Sequence, residues 1–155
     1  MINIINTKVN KLVNKYKTNN PFDIAAGENI LVIKEPLGSI NGYYNKFVRQ
    51  KMIHINSNLS YTKQIYTCGH ELAHAVIHPD SNTPFLISNT FYSVNKLERQ
   101  ANMFAAILLI PRDIFIAYKD YTFEQISLAE NIPLELLKLR YEMLTKSDIT
   151  VDKLF

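Results

Sequence analysis

Apolar residues recur at Ile5, Val9, Leu12, Val13 and Tyr16, the spacing of one helical face, and predict a helix over residues 2–17. Asn19-Asn20-Pro21 ends it. Pro21 can open a second, short helix, because its fixed φ and missing N–H cost nothing at a first helical position, and Gly27 closes that helix. Ile30 to Ile33 is a compact, β-branched run that reads as a strand. After the turn signals Pro36, Gly38 and Asn41-Gly42, the segments Tyr43–Val48 and Met52–Ile55 read as a hairpin. The pattern is helical over residues 62–78, where Pro79 stops it, and polar and loop-like over 80–91, with Pro84 inside. A long helix is predicted from about Asn95 to Leu109, ahead of Pro111, and shorter ones over 112–118, 122–130 and 133–145. Strands early and helices late predict an α+β fold. It holds N-terminal helices and a small antiparallel sheet of about three strands, followed by a helical bundle. The expectation is one domain over residues 1–155, with the C-terminal helices (about 112–146) packed on it.

Composition narrows the class without naming a chemistry. In 155 residues, 47% apolar and 20% charged is a globular balance. The net charge of +3 is spread along the chain without a dense block, so direct nucleic-acid binding is not expected. The lone cysteine, Cys68, permits no intramolecular disulfide and fits a reducing compartment. The first twenty residues lack a signal peptide's continuous apolar stretch, and the run Met103–Ile110 is too short to span a bilayer. The expected location is cytoplasmic, without membrane contact.

The chemistry is concentrated in His70-Glu71-Leu72-Ala73-His74, an HExxH pattern inside a predicted helix. Residues i and i+4 share a helix face, so the two imidazoles can converge on one ion. Zn2+ suits imidazole and carboxylate ligands. Glu71, beside the first histidine, can reach a water at that ion and serve as catalytic base without being a ligand. Ile65, Gly69, Leu72 and Val76 supply a core stripe on the helix's other side. A catalytic site needs a third protein ligand. His78 shares the face, but it lies two turns from His70, roughly 12 Å along the axis, too far for one ion to bind both. Glu98 is the better candidate. It stands at the edge of an apolar helix face (Leu97, Ala101, Phe104, Ala105, Leu108), where a carboxylate needs a partner. It competes with a capping-box role after Asn95. Cys68 reads as a packing residue, and His54 as structural or partly exposed.

The runs CGHELAHAVIHPD and ERQANMFAAILLIPRDIF resemble the ImmA/IrrE metallopeptidases, whose pattern is HExxH, a short connection, ExxAN-x-FA and an LL-x-P segment. Here that pattern is His70 to His74, then Glu98, Ala101, Asn102, Phe104, Ala105, Leu108, Leu109 and Pro111. The resemblance implies a zincin-like fold and a zinc site of His70, His74 and Glu98. It also implies an anti-repressor peptidase, of the kind found in phages and mobile elements, that cleaves a helix-turn-helix repressor. Two rival readings stand beside it. One is a non-cleaving zinc module of the same fold that sequesters a repressor. The other is a DNA-binding regulator using the helix-turn-helix-like segment Phe123–Met143, although that segment shows no basic recognition face. The hairpin around Met52–Asn56 is a candidate edge for an extended substrate.

Overall fold

The computed structural model describes residues 1–83 and 91–148, the side chains of 91–95 and 147–148 excepted. The element order is α1 (Ile2–Tyr16), α2 (Pro21–Gly27), β1 (Leu31–Glu35), β2 (Gly42–Phe47), β3 (Gln50–Asn56), α3 (Tyr61–Ile77), α4 (Phe91–Leu109), α5 (Ile114–Ala117), α6 (Phe123–Glu130) and α7 (Leu134–Asp148). This is the α+β arrangement read from the pattern. Pro84 and the rest of the predicted loop over 84–90 lie outside the described residues.

Local chemistry sets the helix starts. The Asn20 side chain accepts from Phe22 N at 2.9 Å with Pro21 at the first position of α2. Ser60 accepts from Lys63 N at the start of α3. Thr122 and Gln125 form a reciprocal capping box on α6. Helix α4 begins at Phe91, so Asn95 lies inside it and is not its cap. That removes the capping-box reading of Glu98.

The sheet differs from expectation in one respect. Its order is β1-β3-β2: β2 pairs antiparallel with β3, but β1 pairs with β3 in parallel, so the sheet is mixed. A turn-rich connection between β1 and β2 looks like a second hairpin in sequence, yet the chain passes over one strand position and β3 returns to fill it. Buried Asn56 holds that crossover. Its Nδ2 donates to Gly38 O at 3.0 Å and to Ile40 O at 2.9 Å. Strand β3 is therefore interior and offers no free edge to a substrate, contrary to the expectation for Met52–Asn56. The outer edge of β2 is also partly taken. Tyr44 N donates to Thr83 Oγ1 at 2.8 Å, and Lys46 N to Asn82 Oδ1 at 2.9 Å.

Helix α3 is the hub, packed on β2 and β3, on α2 and on α4, while α7 also packs on α4. The core joins Ile53, Ile55 and Tyr44 from the sheet to Leu72, Cys68, Ala101, Phe104 and Leu137 from the helices. Gly69 permits the close approach of α3 and α4, because a Cβ there would stand 2.9 Å from Leu109 Cδ1 and 3.7 Å from Ala105 Cβ. That approach brings residues 70–78 opposite 98–102. Buried Arg140 of α7 donates to Ile110 O at 3.0 Å, satisfying a carbonyl at the end of α4.

Candidate metal centre

Helical periodicity places His70 and His74 one turn apart with their Nε2 atoms 3.3 Å from each other. Both nitrogens face Glu98 of α4: His70 Nε2 lies 2.9 Å from Oε2, and His74 Nε2 3.1 Å from Oε1. His74 is fully buried, and Glu98 is about one-third exposed. The structure thus brings together the three residues that the sequence proposed as ligands, with one donor atom from each lying within 4.8 Å of the others.

The donor set fits a metal. Ligand atoms about 2.0–2.1 Å from a tetrahedral zinc lie roughly 3.3 Å from one another, which matches the spacing of these nitrogens and oxygens. Two nitrogens and one oxygen suit a borderline ion of zinc's type, and three protein ligands leave a fourth position for solvent or substrate. The electrostatics agree. Burial works to raise the Glu98 carboxyl, but hydrogen bonds from His70 and His74 outweigh it and hold the group well below the ordinary range. Burial works to lower His70, and the Glu98 and Glu71 carboxylates outweigh that in turn, raising it.

Glu71 points elsewhere. It is 6% exposed, and among the described residues its Oε2 has no hydrogen-bond partner. Burial raises its carboxyl, while the neighbouring His70 and His74 offset part of the rise. A raised carboxyl beside a candidate metal is suited to general acid–base work. His70 and Glu71 line a cavity of about 300 Å³ with Gly42, Tyr66 and Thr67, while Glu98 and Asn102 line another of about 500 Å³ with Arg99, Glu135 and Glu142. One donor, His70, thus lines the first cavity and another, Glu98, the second.

A family model described as the IrrE N-terminal-like domain, a peptidase family, matches residues 25–144. The chain belongs to the ImmA/IrrE family. It is 41% identical over 140 residues to "Uncharacterized immunity region protein 2" of Bacillus phage phi105, covering 88% of this chain and 89% of that protein. It is 32% identical over 135 residues to Metallopeptidase ImmA of Bacillus subtilis (strain 168), covering 83% and 79%. Family membership supports a metallopeptidase and implies a metal, for which His70, His74 and Glu98 offer a donor set.

His78 is no member of the donor cluster and bonds to neighbours, as reasoned from its distance along the helix. Cys68 is buried, and burial pushes its thiol far above the usual range. His54 is a sheet residue, bonded at 2.8 Å to Glu35 and at 3.0 Å to Asn45 and stacked on Tyr43. No helix among the described residues is long and apolar enough to cross a membrane. Sequence reasoning misses three participants. Asn102 Oδ1 stands 2.8 Å from His70 Nδ1, and Gln100 Oε1 2.7 Å from His78 Nε2. Thr83 stands beside Glu71 while its hydroxyl accepts from Tyr44 N and donates to Tyr44 O on the edge of β2. Asn102 carried a signal, standing one turn from Glu98; Thr83 and Gln100 had none.

Proposed function

We propose that this protein is a zinc-dependent endopeptidase that cleaves a regulatory protein, a helix-turn-helix repressor, and so acts as an anti-repressor. His70, His74 and Glu98 hold the zinc, and Glu71 is the general base. The observation that carries this reading is the pairing of three donors at tetrahedral spacing with a buried carboxylate whose Oε2, on Glu71, has no hydrogen-bond partner among the described residues. A structural metal site has no use for such a group.

Bound zinc supplies Lewis acidity, polarising a carbonyl and acidifying water. Glu71 accepts the proton of the attacking water and passes it to the leaving amine. Its dry surroundings keep the carboxyl raised, so it can both accept and return a proton. The cavities lined by His70 and by Glu98 hold the chain flanking the cut bond. The immunity-region name of the phage relative and the peptidase name of the bacterial one support a regulatory-protein substrate. The exposed side of α7, carrying Glu135, Lys138 and Glu142, has mixed charge and does not suit DNA.

The test is a gel. The product of a neighbouring small helix-turn-helix gene is incubated with the zinc-loaded protein, with and without chelator. Discrete fragments that vanish with chelator and return with zinc are expected. An intact repressor beside fully zinc-loaded protein would refute the peptidase reading.

A further inference from the structure

His78 and Gln100 are joined to the site without belonging to the donor cluster. Helix α3 ends at Ile77, and His78 follows as its C-cap. The His78 Nδ1 atom lies 3.2 Å from His74 Nδ1, and its Nε2 lies 2.7 Å from Gln100 Oε1 on α4. His74 is fully buried, so its Nδ1 has no solvent to turn to.

We propose that His78, held by Gln100, is a positioning residue that fixes the tautomer and ring orientation of His74 for metal binding. This rests on the ligand assignment above. The direction of the chain follows from proton accounting at each ring. His74 offers Nε2 to the metal, so the proton of its neutral ring sits on Nδ1. That N–H donates to His78 Nδ1, which must then be an unprotonated acceptor. The proton of neutral His78 therefore sits on Nε2 and needs an acceptor, and Gln100 presents its oxygen there. Every donor meets an acceptor in one arrangement only. The opposite tautomer of His78 would set two N–H groups face to face against His74.

The same logic holds on the other ligand, where His70 Nδ1–H donates to Asn102 Oδ1. Helix α4 thus supplies a ligand, Glu98, and an outer partner for each histidine, directly for His70 and through His78 for His74. Such partners orient the ring and raise its basicity, and losing one costs about 10–100-fold in metal affinity.

The direct test leaves the chain unmutated. In zinc-loaded protein with 15N-labelled histidine, the ring-nitrogen resonances of His74 and His78 report where each proton sits. Protonation at His74 Nδ1 and His78 Nε2 is expected; a proton on His78 Nδ1 overturns the proposal. The second arm measures zinc affinity by competition with a chromophoric chelator, with melting of the zinc-free forms as a fold control. His78→Leu is expected to weaken zinc by about 10–100-fold. His78→Asn, whose Oδ1 can accept where Nδ1 did, is expected to recover most of the loss. Wild-type affinity in His78→Leu, or equal losses in both variants, sinks the relay. Absence of zinc binding by the wild type, or an indifferent Glu98→Ala, would instead sink the ligand assignment.

Discussion

Replacing Glu71 by Gln separates the proposed base from the metal cluster and from the fold. The residue is 6% exposed, with one carboxylate oxygen unbonded among the described residues. Gln keeps its length and removes its ability to take a proton. Loss of a general base costs about 10²–10⁴-fold in rate, or roughly 3–5 kcal/mol of barrier. Zinc stoichiometry should not change, because Glu71 is not among the three donors. The fold should benefit. An unsatisfied buried polar group costs about 1–3 kcal/mol, and more when charged, so removing the ionised form should stabilise the zinc-free protein at neutral pH by on the order of 1 kcal/mol. The sign of the pH dependence follows from burial, which raises the carboxyl above its unfolded value. The folded state therefore holds the proton more tightly. Wild-type stability falls as pH rises from the ordinary carboxylate range through the raised folded value, and Glu71→Gln lacks that decline. Urea unfolding of both zinc-free proteins across this range, a zinc titration and the cleavage gel measure all three effects. Cleavage at the wild-type rate would remove Glu71 from the mechanism. A mutant less stable than wild type at neutral pH would show that the buried carboxylate carries no net penalty.

Two further outcomes test the geometry. Glu98→Ala, which deletes a direct donor, should lower zinc affinity by more than the 10–100-fold expected of an outer partner; unchanged affinity would place the third ligand elsewhere. Gly42→Ala should destabilise the fold by about 1–3 kcal/mol in denaturant unfolding, because the new Cβ would stand 2.6 Å from the backbone oxygen of His54 and 2.7 Å from Thr67 Cγ2. An unchanged midpoint would mean that β2 and α3 can separate at no cost.

What the sequence alone determined here was local. The period of an α-helix puts His70 and His74 on one face whatever surrounds them, and Pro21, Asn20 and Thr122 mark helix starts through bonds to near neighbours. Glu98 was legible because a carboxylate beside an apolar stripe calls for a partner, although sequence alone left a capping role open. Only the closure of α4 on α3 over Gly69 brought that carboxylate to the imidazoles. The parallel pairing of β1 with β3, the burial of β3 between its neighbours and the chain from His74 through His78 to Gln100 likewise belong to the tertiary structure. Strand partners and hydrogen bonds across helices join residues far apart in the chain. Their choice is made by how the apolar faces of whole elements pack, and no short-range period records it.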